Sequence, residues 1–204
     1  MTITFLQIFF VCLLGAMSPG PSMVVVINNA IFKNRFNGIL TSIGHGIGIG
    51  FYAIFAVIGI GYIIETSPLV FEIIKIISIF FLAYLGINSL LSREKLDLND
   101  KRDIRVGVKS FLQGFGISIL NPKIFIWFVA IYSQFMSESN NLIMNSFLVI
   151  IASLVDTIWY IFLTFLVTSN KILEYLRNKT YILNKIIGII FITISFILLL
   201  KAIF

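Results

Sequence analysis

Charge and cysteine are what this chain has least of. Of its 204 residues only 12% are charged, against roughly 25% in an ordinary soluble domain. Apolar residues make up 59%, and mean hydropathy is +1.04. That shortage excludes a water-soluble globular domain. Cys12 stands alone in an apolar run, which leaves neither a disulfide nor a thiolate metal cluster. His45 is the single histidine, without a His-Glu-x-x-His pattern or a Ser/His/Asp set, so an intramembrane enzyme is a poor second reading. No Gly-Lys-Ser phosphate loop is present, which argues against ATP hydrolysis, and nothing calls for a cofactor or a metal. The net charge of +6 does not describe a nucleic-acid surface, because no basic run interleaves with aromatics. Residues 1–7 carry no basic residue and the chain re-enters apolar sequence after Pro21, so a cleaved signal peptide is not expected.

What is present is a series of apolar runs, each near the roughly 20 residues that span a bilayer core. Six spans are expected, at about 3–32, 38–63, 69–91, 108–136, 142–169 and 181–203. The first is interrupted by Ser18-Pro19-Gly20-Pro21-Ser22 and the fourth by Asn121-Pro122. The second is Gly-rich, and small residues let helix backbones approach closely. Contact through Gly44 and Gly48 is compatible with a homodimer and equally with the core of a monomer. The charges gather between spans, above all in a polar segment at about 92–107 and in a basic loop holding Lys171, Arg177 and Lys179.

Counting Lys and Arg on alternate loops sets the orientation. Lys33, Arg35, the central segment and the 171–179 loop share one side, which is expected to be cytoplasmic, with both termini outside. An offset of 101 residues aligns Phe10 with Phe111, Gly15 with Gly116 and Pro21 with Pro122. Because each half holds three spans, the halves must be oppositely oriented. The expected fold is therefore an all-α polytopic membrane protein of six transmembrane helices. It forms one transmembrane domain over 1–204, built as two inverted three-helix repeats with broken first and fourth helices. Repeat one covers about 1–91 and repeat two about 108–204. Paired broken helices of this kind mark binding sites in secondary transporters.

At the first break Ser18 can cap a half-helix that begins at Pro19, and at the second Asn121 can cap one that begins at Pro122. Each would aim free N–H groups and a positive dipole end into the membrane, which suits a carboxylate. Lys123 can add its charge. The plainer reading of either proline alone is a kink. Asp156 is the one acid well inside a span, and a mid-bilayer carboxylate costs roughly 3 kcal/mol on insertion scales. It can carry a proton, meet a substrate amine or pair with Lys123; a structural ion pair is the plain alternative. His45 can titrate near neutral pH and assist proton movement, or simply hydrogen-bond within the bundle.

These residues resemble the LysE/RhtB family of amino-acid exporters over nearly the whole chain. The resemblance is carried by Ser18-Pro19-Gly20-Pro21, by Gly44 and Gly48, and by Ala83-Tyr84-Leu85-Gly86. In the second half it is carried by Phe111-Leu112-Gln113-Gly114-Phe115, Asn121-Pro122-Lys123, Gln134-Phe135, Asp156 and Leu183-Asn184-Lys185-Ile186-Ile187-Gly188. Ser78 stands where the family commonly has Gly, and His45 is less typical of it. The resemblance implies export of an amino acid or close derivative from a bacterial inner membrane in exchange for protons. From the breaks and the ionisable residues themselves, substrate is expected to bind at Ser18, Pro19, Gly20, Pro21, Ser22, Asn121, Pro122 and Lys123, with Asp156 and His45 coupling to protons. A metal-exporting branch fits poorly, since only Cys12, His45 and Asp156 could ligate within the spans. Other readings are an exporter or channel for another small solute or cation, and a non-transporting membrane partner subunit.

Overall fold

In hydrocarbon a backbone N–H or C=O has no water to turn to, so apolar runs of this length close their hydrogen bonds internally as helices. The computed structural model describes residues 2–92, 107–136, 142–168 and 170–203, and among these it contains helices and no strand. In chain order they are α1 (Thr2–Met17), α2 (Pro21–Asn28), α3 (Arg35–Thr66), α4 (Pro68–Leu91), α5 (Val108–Ile119), α6 (Pro122–Phe135), α7 (Leu142–Val167) and α8 (Asn170–Ile203). A π-helical turn, Asn29–Lys33, extends α2. Among the described residues four helices are long and apolar enough to cross a membrane alone, or up to six spans if each bent pair is one span. This is a multi-pass membrane protein. Of the polar segment expected at about 92–107, residues 93–106 lie outside the described residues, as do the side chains of Lys171 and Arg177.

The two interrupted spans are bent, by 68° between Phe5–Met17 and Pro21–Lys33 and by 58° between Val108–Ile119 and Lys123–Phe135. Proline has no N–H to donate and is tolerated where a helix begins. Pro21 and Pro122 each occupy that first position. Two sequence expectations need correction. Ser18 does not cap a helix starting at Pro19: the half-helix starts at Pro21, after Gly20, and has no side-chain cap. Residues 170–180 do not form a basic loop, because α8 is helical from Asn170 onward.

The outward faces are apolar and the interior carries the polar groups. On α3, Phe55, Ile58 and Tyr62 are 64%, 63% and 67% exposed, while Thr41, Ser42 and His45 of the same helix are buried. Lipid solvates the first set; the second needs protein partners. The core is dense where glycines meet backbone. A Cβ on Gly44 would overlap the Phe111 carbonyl oxygen of α5, one on Gly114 would overlap the Thr41 carbonyl oxygen of α3, and one on Gly46 would overlap the Thr157 hydroxyl of α7. Gly44 and Gly48 are thus spent within one chain, against α5. Gly44→Val should lower the melting temperature of the detergent-purified protein, since overpacking costs about 1–3 kcal/mol. Gly59→Ala should not, because nothing lies within 4 Å of that site. An unchanged Gly44→Val melting temperature would contradict the packing.

Element bounds recur along the chain. Pro21 and Pro122 open α2 and α6, Met17 and Ile119 close α1 and α5, and Thr66 and Val167 close α3 and α7. Helices α4 and α8 meet through Gly86 and Gly188, and a Cβ on either would fall 2.9 or 2.7 Å from the other's carbonyl oxygen.

Candidate functional site

The second break is capped as the sequence suggests. Asn121 is extended and its Oδ1 accepts from the Lys123 N–H at 3.1 Å. The carbonyl end of α5 is served by the Tyr52 hydroxyl, which donates to the Ile119 carbonyl oxygen. The first break lacks such a cap: Gly20 contributes no side chain, so the first turn of α2 starts without a side-chain oxygen capping its N–H groups. The two breaks are joined across the bundle. Lys123 Nζ donates to Ser18 Oγ at 2.8 Å.

A cavity of about 70 Å³ lies at this junction. Into its walls come Ser18, Gly20, Pro21 and Ser22 from the first break, Asn121 and Lys123 from the second, His45 from α3 and Asp156 from α7. At about 10–15 Å³ per water it would hold a handful of waters. A second cavity, of about 610 Å³, is lined by Pro19, Asn88, Ser89, Ser92 and Asn184 and shares Ser18, Gly20, Pro21 and Lys123 with the first. It reaches Ser92, the last described residue before the 93–106 segment. The Lys123–Ser18 contact therefore stands where the two spaces meet. Of the site residues expected from sequence, Pro19 lines only the larger cavity, and nothing is described of the Pro122 side chain beyond its place at the start of α6.

Asp156 does not pair with Lys123. Its Oδ2 lies 2.6 Å from His45 Nδ1, with the carboxylate and the ring both buried. The Tyr160 ring packs edge-to-face with the imidazole, with ring centroids 4.9 Å apart. His45 Nε2 and Trp127 Nε1 are buried without a protein partner, and both residues line the small cavity. Buried polar groups normally have a partner, and an orphaned one costs about 1–3 kcal/mol. Such groups on residues that line one cavity suit a polar occupant. Among the described residues no three His, Cys, Asp or Glu side chains gather as a metal site would require.

Sequence reading missed Trp127 and Tyr160. The signal was helical spacing. Ala152, Asp156 and Tyr160 stand four apart on α7, as do Lys123 and Trp127 on α6, so each pair shares a face with a residue already singled out.

Away from the cavity, the π-helical turn starts at a polar knot. Asn29 Nδ2 donates to Thr41 Oγ1 at 2.8 Å and to Gln113 Oε1 at 3.0 Å, and Lys33 Nζ donates to Gln113 Oε1 at 3.2 Å. This ties the outgoing end of α2 to α3 and α5.

The chain is 28% identical to the uncharacterized membrane protein YrhP of Bacillus subtilis (strain 168), over 84% of this chain and 87% of that protein. It is 26% identical to proteins named leucine efflux protein in Salmonella choleraesuis (strain SC-B67) and Salmonella typhi, over 85% of this chain and 84% of each. No solved structure gives a significant match. The family model described as LysE type translocator matches residues 13–202, so this chain, with its two broken spans joined across a cavity, belongs to the LysE type translocator family.

Proposed function

We propose that this protein exports an amino acid or close derivative across the bacterial inner membrane, in exchange for protons, by alternating access between two inverted three-helix halves. The observation that carries the reading is the joining of the two breaks, Lys123 Nζ to Ser18 Oγ at 2.8 Å, in a cavity that also holds the His45–Asp156 pair. A zwitterion needs a cation for its carboxylate and an acceptor for its ammonium. One cavity offers both. Relatives named leucine efflux protein support an amino-acid substrate.

The carboxylate is received by Lys123 and Ser18, at the uncapped start of α2, where the dipole's positive end favours an anion. Matching element bounds in the two halves support the repeat, and the symmetric Gly86–Gly188 contact supports an axis between them. The larger cavity is the route from the side bearing the 93–106 segment, which the excess of Lys and Arg makes the cytoplasmic side.

Acid-loaded proteoliposomes of the purified protein should accumulate at least one labelled common L-amino acid, and collapse of the pH gradient with a protonophore should stop it. A panel in which no amino acid accumulates would overturn the reading. Accumulation of another solute would leave a transporter of a different class. Failure to move any solute would favour a partner subunit.

A further inference from the structure

We propose that His45 Nε2 is the atom that receives the substrate's α-ammonium, and that a proton competes with the substrate for that same atom. The proposal rests on the export reading above and deepens it. His45 is 1% exposed on α3, and its backbone is fixed from both sides. Gly44 abuts the Phe111 carbonyl of α5, and Gly46 abuts Thr157 and the Ser153 carbonyl of α7. Neither helix leaves this stretch of α3 backbone room to withdraw.

The 2.6 Å contact to Asp156 assigns the ring's tautomer. A carboxylate oxygen can only accept, so the ring supplies the proton between them. Nδ1 then donates to Asp156, and in the neutral ring Nε2 carries a lone pair. That lone pair is buried and has no protein partner, on a residue that lines the cavity. An ammonium N–H is its complement, and the charge on Asp156 balances the incoming cation. A proton on Nε2 changes both conditions together. The acceptor becomes a donor, and the pair's net charge goes from minus one to zero. A substrate ammonium then has neither an acceptor nor a counter-charge.

Occupancy by proton and by substrate is thus exclusive, with one proton taken up at Nε2 for each ammonium that leaves. The other ionisable groups facing this cavity are Cys12 of α1, Lys123 of α6 and Tyr160 of α7, beside Asp156 itself. Imidazole is the side chain among these whose chemistry suits a change of charge under physiological conditions. Gly114, packed against this turn from α5, has nothing to titrate.

The test is thermal stabilisation of the purified protein by each of the common L-amino acids from about pH 5.5 to about 8. For the strongest binder the apparent affinity should fall by up to about tenfold per pH unit at the acid end, the slope of one competing proton. The deaminated acid of the same carbon skeleton should bind without that slope. His45→Gln keeps an acceptor but not the titration, and its affinity for the amino acid should be flat with pH. A purely structural histidine would leave the slope in place when substituted. The proposal is overturned if wild-type affinity does not depend on pH, if the deaminated acid shows the same slope, or if folded His45→Gln retains it. If His45→Gln does not fold, the wild-type comparison of the two ligands decides alone. If no amino acid stabilises the protein at any pH, the export reading itself falls, which is a different result.

Discussion

Asp156→Asn is expected to reduce gradient-driven export by about 100-fold or more while leaving folded protein in the membrane. Asn keeps the shape of the side chain, and its amide oxygen can still accept from His45 Nδ1, so the 2.6 Å contact across α3 and α7 need not open. What it removes is the charge. A buried imidazolium without its carboxylate has lost a buried partner, a change that costs about 3–5 kcal/mol, and about 1.4 kcal/mol is a factor of ten. The protonated state that should displace substrate is then too rare to turn the cycle. Asp156→Ala should behave worse, because it also leaves Nδ1 without an acceptor in a site that is 5% exposed. The measurement is labelled amino-acid uptake into acid-loaded proteoliposomes, beside the melting temperature of the same preparation. Undiminished uptake with Asn at 156 would remove the pair from the coupling mechanism.

The architecture was legible because bilayer crossing imposes few solutions. A run of about 20 apolar residues has one economical fold, and a proline within it can only bend or begin a helix. So the broken spans could be read from Pro21 and Pro122, and the Asn121 cap from an Asn before a proline. The first cap was misread because Ser18-Pro19 and Gly20-Pro21 offer two starts in one pentapeptide. The chain takes the later one, leaving Ser18 Oγ free to accept from Lys123. The basic loop at 171–179 was misread for a related reason: charge marks the edge of the bilayer, not the end of a helix, and α8 simply continues beyond it.

Of the site, sequence yielded the chemically rare residues and not their partners. Lys123, Asp156 and His45 stand out because an ionisable group inside a span is costly. Which of them pair depends on helix rotation, and rotation is set by contacts that no local pattern encodes. Gly44 and Gly46 turn opposite sides of α3 to α5 and α7, and that places His45 against Asp156. Lys123 is left facing the other break.

Lys123→Met should therefore weaken binding of the amino acid by about 10- to 100-fold, the loss of a hydrogen bond to a charged group at roughly 1.5–3 kcal/mol. Met retains most of the length and apolar bulk of the stem, so the half-buried position keeps its packing while the ammonium is lost. The effect should be specific to one end of the substrate. The amino-acid amide has no carboxylate to lose, so its affinity, already weaker than the acid's in the wild type, should change little on the same substitution. This comparison forms a double-mutant cycle between the Lys123 ammonium and the substrate carboxylate, with a coupling energy in that same range. Thermal-shift titration of both ligands against both proteins supplies the four corners. Equal loss of acid and amide would show that Lys123 acts by holding Ser18 and closing the space between the two cavities, because a gate does not distinguish an acid from its amide. Loss of the acid alone places the carboxylate at the meeting point of the two breaks, where the larger cavity delivers it and the uncapped start of α2 receives it.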